Sequence, residues 1–335
     1  MEYRTLGKTE LKISRLGFGG IPIQRIDAEG TRALIAELCE AGVNYIDTAR
    51  GYTVSEEYLG YALEGVRDRF VLATKSTSRD KAGMAKDIET SLEKLRTDYI
   101  DLYQMHNPSA KELEVAIAPG GALEALVEAR AAGKIGHIGI TLHSLEVFER
   151  AVELDWVETI MFPYNIVETQ GEALIAKCAE KNIGFICMKP LAGGAIDDAH
   201  IALRFAVSNP AVTVVIPGMA DTAEIAENVS AVSDTSPLSI DEIGKIEEIK
   251  ALLGTNFCRR CNYCAPCTVG ISIPAVLLFE GYYSRYHLPE WAKARYATLN
   301  KTASDCIECG VCETRCPYNL PIREMLKNAT RVFGK

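Results

Sequence analysis

Four residues whose types could move a proton recur at the ends of short apolar runs. Asp47 closes the run 44–47, Lys75 the run 71–75, and His106 follows 101–105, while Tyr52 lies five residues past Asp47. A carboxylate, a phenol, an ammonium and an imidazole form a proton-donating set if the fold brings them together. A free phenol has a pKa of about 10, too high for ready proton donation. A nearby ammonium favours the phenolate and makes the phenol a better acid.

A second set is cysteine. The chain has 11 cysteines, and eight lie between Cys258 and Cys316. Cys258, Cys261, Cys264 and Cys267 are each two residues apart; Cys306, Cys309 and Cys312 repeat that step, followed by Cys316 beside Pro317. Three cysteines in step and a further one next to proline is the bacterial [4Fe–4S] spacing. Zinc sites use paired knuckles and seldom a third cysteine in step, so two zinc sites are the weaker alternative. Cys39, Cys178 and Cys187 stand on apolar faces and read as core.

Charge agrees with this division. The net charge is −9, which argues against nucleic acid as a partner. From residue 255 onward there are 11 Lys and Arg against 6 Asp and Glu, so the excess of acid lies wholly in the first 254 residues. The basic tail suits clusters that are themselves negative. The first residues lack an apolar stretch of signal-peptide type. No run approaches the roughly 18–20 apolar residues of a membrane span, so a cytoplasmic protein is expected.

The elements that must position these groups alternate. The stretches 3–6 and 11–14 read as a hairpin able to plug a barrel floor. Strand-like runs follow near 16–18, 44–47, 71–75, 101–105, 137–141, 159–162, 184–188 and 213–216. Helical periods lie between them, such as Met84, Ile88, Leu92 and Leu95, or Leu123, Leu126 and Val127 before Gly133. Ser144 and Thr222 are the expected N-caps. Eight such units predict an α/β fold, a (β/α)8 TIM barrel, rather than an open doubly wound sheet. In a barrel the strand tips converge on one mouth, which would gather Asp47, Tyr52, Lys75 and His106. A last helix with Ile243, Ile246, Ile249 and Leu253 inward ends at Gly254. The expected domains are therefore 1–254 and a small, mainly helical iron–sulfur domain over 255–335.

In order and placement, Asp47, Tyr52, Lys75 and His106 resemble the tetrad of the aldo-keto reductases. The hairpin, Gly17-Phe18-Gly19-Gly20, and Ile216-Pro217-Gly218 followed by Glu227-Asn228 extend the resemblance through the barrel. It implies carbonyl reduction or alcohol oxidation with NAD(H) or NADP(H), which supplies the hydride. Tyr52 would be general acid and base, Lys75 would acidify it, Asp47 would hold Lys75, and His106 would orient the carbonyl. The implied nucleotide contacts are Gly20, Thr141, Asn165, the loop Pro190, Leu191, Gly193 and Gly194, and then Gly218, Glu224, Glu227 and Asn228. There are departures. Gly218 and Glu224 replace the Lys and Arg that many relatives place on a 2′-phosphate, which disfavours NADPH. Met188 replaces an aromatic stacker, and Met161 or Phe162 a carboxamide-binding Gln. His137 reads as a core or rim residue; His143 lies nearer the mouth.

The cysteine region resembles an α-helical two-cluster ferredoxin module. In two-cluster ferredoxins the fourth cysteine of each motif serves the other cluster. Carried over, one cluster takes Cys258, Cys261, Cys264 and Cys316, the other Cys306, Cys309, Cys312 and Cys267. The first motif departs from the pattern, with Thr268 where proline is usual.

The leading reading is an NAD(P)H-dependent oxidoreductase of an aldehyde or ketone, with two [4Fe–4S] clusters and a small-molecule substrate. The first alternative is an electron-transfer enzyme relaying electrons among the clusters, a redox partner protein and a barrel-bound substrate or flavin. The second is a redox- or iron-sensing nucleotide-binding protein.

Overall fold

The structure is a computed structural model and describes residues 1–254, 258–260, 263–316 and 318–335. Its internal contacts divide the chain into two compact units: Met1–Pro190 with Asp198–Ser239, and Leu191–Asp197 with Ile240–Lys335.

The first unit is the expected barrel. Strands β1 (Tyr3–Thr5) and β2 (Lys12–Ser14) pair antiparallel as the hairpin. Leu6 and Ile13 are wholly buried against Tyr45, Leu102, Met161 and Ile186, so the hairpin plugs the barrel interior. Gly7 has φ of +55°, and a Cβ there would lie 2.2 Å from Gly184 N. Only glycine allows that approach. Eight parallel strands follow: β3 (Phe18–Gly19), β4 (Tyr45–Asp47), β5 (Val71–Ser76), β6 (Ile100–His106), β7 (Ile135–Thr141), β8 (Thr159–Pro163), β9 (Gly184–Met188) and β10 (Val214–Ile216). They neighbour one another in chain order. Parallel bridges from Leu16 to Val215 and from Gly19 to Gly218 join the first strand to the last.

A helix follows each strand, from Ala28–Glu40 after β3 to Thr222–Ser233 after β10. Helix Lys81–Lys94 buries Met84, Ile88 and Leu92, and Asp80 caps it through the Gly83 N–H. Ser144 caps its helix as expected. The cap expected at Thr222 belongs to Asp221, whose carboxylate accepts from Glu224 N; Thr222 is the first helical residue. Helix Ala122–Ala131 buries Ala122, Ala125, Leu126 and Ala129, while Val127 is exposed. The small alanine side chains face inward, and the stripe lies one residue round from the larger residues.

The second unit is helical, with no strand among its described residues: Ile240–Leu253, Ile273–Ser284, Pro289–Tyr296, Val311–Thr314 and Ile322–Phe333. Its core joins Ile271, Ile273, Val276, Leu277, Tyr296 and Leu326. The helix before Gly254 groups with this unit. Of its four expected inward residues Ile246 is buried, whereas Ile243 is exposed. Among the described residues no helix is long and apolar enough to cross a membrane.

Candidate functional site

The strand tips converge as the parallel register requires. Asp47 pairs with Ala73, and Lys75 with Gln104, which sets β4, β5 and β6 side by side at their C-terminal ends. Lys75 and Asp47 are 2% and 3% exposed. Lys75 Nζ donates to Asp47 Oδ1 and to Thr48 O at 2.7 Å. The same ammonium lies 5.0 Å from the centroid of the Tyr52 ring. The His106 ring meets that of Tyr52 edge-on, 6.3 Å between centroids. All four residues thus form one group, with the ion pair buried and the phenol and imidazole only partly covered.

Burial is the largest influence on both charged members. It lowers the Lys75 pKa from the ordinary lysine range, with Asp47 opposing, and raises that of Asp47, with Lys75 and Gln104 opposing. Each partner thus favours the charged form of the other against the burial that disfavours it.

Gln104 was not expected. It is wholly buried, and its Nε2 donates to Asp47 Oδ2 at 2.9 Å, fixing the carboxylate from the side opposite Lys75. Inside an apolar run it reads as one polar residue in a strand; only the β5–β6 register puts it beside Lys75. Glu56 is a second such residue, 1% exposed. It accepts from Thr74 Oγ1 and Ser91 Oγ, each at 2.8 Å, and pairs with Arg50. Arg50 N donates to Lys75 O at 3.0 Å. That ties down the loop carrying Tyr52, which turns into helix Ser55–Ala62 through Ser55 N to Tyr52 O at 2.8 Å.

The residues expected to meet a nucleotide spread round the rim. Gly20 N donates to Asp47 O at 2.8 Å. Thr141 ends β7, and its Oγ1 accepts from Asn107 N. Asn165 is wholly buried and donates to Glu168 and to Lys189 O, each at 2.9 Å. At Gly218 a Cβ would lie 2.5 Å from Pro22, so no lysine fits. The Glu224 carboxylate accepts from Ala220 N, turning back on the N-terminus of its own helix. Asn228 is buried and Glu227 exposed. Pro190 belongs to the barrel unit, but Leu191, Gly193 and Gly194 group with the second unit. There Arg285 Nε donates to Gly193 O at 3.4 Å, and a Cβ on Gly193 would lie 3.0 Å from Tyr286.

Of the open alternatives at the carboxamide position, Phe162 packs on Phe148, 5.0 Å between ring centroids, so Met161 is the inward one. His137 Nδ1 bonds Glu158 at 2.8 Å, near the start of β7 and away from the tetrad. His143 lies two residues past Thr141.

The cysteines of the second unit gather in two places. One cavity is lined by Cys267, Cys306, Cys309 and Cys312. Another is lined by Cys258, Cys264 and Cys316; Cys261 lies outside the described residues, as does Pro317. Each cavity thus takes the last cysteine of the other motif. Among the described residues no three Cys, His, Asp or Glu side chains converge on a point one ion could fill. The four thiols ringing the first space are a donor set of the kind a [4Fe–4S] group takes. Glu308 N donates to Cys306 Sγ at 3.4 Å. Cys39, Cys178 and Cys187 are buried; Cys187 donates to Tyr164 O.

Residues 15–200 and 195–251 match the family model of the aldo/keto reductase family. The chain belongs to that family. It is an oxidoreductase, and residues 257–321 match a 4Fe-4S dicluster domain, so it carries an iron–sulfur domain besides the barrel. It is 27% identical over 305 residues to the L-galactose dehydrogenase of Arabidopsis thaliana, covering 76% of this chain and 94% of that protein. It is 31% identical over 201 residues to the aldo-keto reductase YhdN of Bacillus subtilis, covering 54% and 59%. Among solved structures, the holo form of the aldo-keto reductase AKR11C1 from Bacillus halodurans superposes with a TM-score of 0.65. That match is 26% identical and covers 74% of this chain and 96% of the other.

Proposed function

We propose that the barrel reduces an aldehyde or ketone, or oxidises the alcohol, using NAD(H) in preference to NADP(H), and that the second unit carries two [4Fe–4S] clusters. The observation that carries the first part is the buried Lys75 ammonium held 5.0 Å from the Tyr52 ring. When bound, the nicotinamide supplies or accepts the hydride. Tyr52 gives the substrate oxygen its proton in reduction and takes it back in oxidation. Lys75 favours the phenolate left behind. Asp47 and Gln104 fix Lys75 in place, and His106 donates to the same oxygen as charge develops on it.

The nucleotide preference rests on Gly218 and Glu224. The first has no room for a cation. The second puts a carboxylate at the N-terminus of helix Thr222–Ser233, where an added phosphate would meet like charge. The buried Asn228 and the rim residues Thr141 and Asn165 fit the remainder of a dinucleotide. For the clusters, the two cysteine-lined cavities support the crossed ligand sets: Cys258, Cys264 and Cys316 line one, Cys267, Cys306, Cys309 and Cys312 the other, and Cys261, outside the described residues, joins the first set by its spacing.

A specific observation favours a second reading, electron transfer with a redox partner: Cys309 is exposed, so the cavity it shares with Cys267, Cys306 and Cys312 has a member at the surface. One experiment addresses both. Anaerobically purified protein is mixed with NADH or NADPH and a panel of carbonyl compounds, with nucleotide oxidation and cluster absorbance followed together. The proposal expects faster NADH than NADPH oxidation; oxidation of neither with any carbonyl, or of NADPH alone, contradicts it. The name of the Arabidopsis relative indicates a dehydrogenase, so sugar alcohols with NAD⁺ are included. Cluster bleaching that requires nucleotide plus substrate favours the electron-transfer reading.

A further inference from the structure

Thr268 follows Cys267 directly, where ferredoxin-type motifs carry proline. Its Oγ1 lies 3.4 Å from Cys309 Sγ, and both residues line the cavity that also holds Cys267, Cys306 and Cys312. A ligating cysteine is a thiolate with no proton to give, so in that state the hydroxyl is the donor. Proline could make no such bond, having no side-chain donor.

We propose that Thr268 sets the reduction potential of the second cluster by donating its hydroxyl hydrogen to the Cys309 sulfur. This rests on the assignment of Cys309 to that cluster. One-electron reduction breaks no bond and adds negative charge that spreads onto the ligand sulfurs. A donor aimed at one of those sulfurs stabilises the reduced state more than the oxidised one and raises the potential. Other described donors near this site, such as Glu308 N–H to Cys306 Sγ and Val311 N–H to Cys309 Sγ, belong to the backbone and survive any side-chain change, so Thr268 is an adjustable one. It also touches the one exposed cysteine among the described ligands. The motif's departure from proline thus gains a function: it places a hydroxyl against the sulfur of an exposed cysteine.

The test is an anaerobic dithionite titration of the full-length protein followed by EPR, after iron and sulfide analysis confirms cluster content. Thr268→Val removes the hydroxyl at nearly constant shape; Thr268→Ser keeps it. The expected result is a more negative potential for one of the two clusters in Thr268→Val, no change in the other, and wild-type behaviour in Thr268→Ser. Thr268→Ala, which adds no bulk, must shift the same potential. Unmoved potentials in Thr268→Val and Thr268→Ala with both clusters assembled overturn the proposal, as does a Thr268→Ser shift equal to that of Thr268→Val. Cys309→Ala identifies the cluster concerned by its lost signal. If Cys309→Ala keeps both clusters, the ligand assignment fails, and the proposal with it.

Discussion

The barrel mouth and the cysteine cavities place their reactive groups in opposite ways. In the barrel, the hydrophobic interior is complete below the site: Leu6, Ile13, Tyr45 and Leu102 pack there, while Tyr52 and His106 stand partly exposed at the strand tips. In the second unit, Cys264 and Cys312 are members of the core, and Cys258, Cys267, Cys306 and Cys316 pack against it. The barrel can therefore lose its proton donor and keep its fold. The helical unit has less to fall back on: the cysteines proposed as ligands are part of its small core or pack on it, so loss of a core ligand should loosen the fold around that cavity.

The largest expected effect follows from that contrast. Cys312→Ala in the full chain should abolish a cluster and unfold the second unit locally, while the barrel keeps its protection. Hydrogen exchange resolved by segment measures this; uniform protection across the second unit in the variant would show that its core stands without the ligand. Next, Lys75→Met leaves Asp47 buried without its partner. Breaking a buried pair in this way costs about 3–5 kcal/mol, seen as a lowered denaturation midpoint, and catalysis should vanish. A midpoint within error of wild type would mean that Asp47 has become protonated at little cost.

A smaller effect is expected at Gln104. Gln104→Leu removes one of the bonds that favour the charged form of Asp47, so its carboxyl pKa should rise further. The acid limb of the kcat/KM profile would then move to higher pH, with a stability loss of about 1–3 kcal/mol. An unmoved limb would separate Gln104 from the chemistry. The smallest effect lies on the surface. Lys177 and Lys181 hold the Glu153 carboxyl at about 2, below its usual range. A depressed folded-state value adds stability above the unfolded pKa and loses it as pH falls toward 2. Glu153→Gln should thus be slightly less stable than wild type at pH 7 and indistinguishable near pH 2, read from melting temperatures.

How much was readable beforehand differs between the regions for a physical reason. Strand and helix periods carry the barrel because burial on one face repeats along each element, and β3 to β10 fall where the apolar runs lie. The hairpin was equally plain. Cysteine spacing carries the grouping of three thiols in each motif because a step of three residues is local; the crossing of the fourth is implied only by the resemblance to two-cluster ferredoxins. Gln104 and Glu56 were not readable, since their roles depend on which strand lies beside which, a long-range fact with no local period. The caps went astray at Thr222 because Asp221 competes one residue earlier for the same N–H. The stripe at Val127 failed because alanines, weak in any hydrophobic count, turned inward. The grouping of Leu191, Gly193 and Gly194 with the helical unit left no local mark either.

The central claim is that Tyr52 delivers the proton. The most direct measurement compares Tyr52→Phe with wild type for NADH-dependent reduction of one carbonyl substrate, with nucleotide affinity measured alongside. Loss of a general acid should lower kcat by about 10²–10⁴-fold with nucleotide affinity and melting temperature unchanged. Turnover equal to wild type would contradict the account.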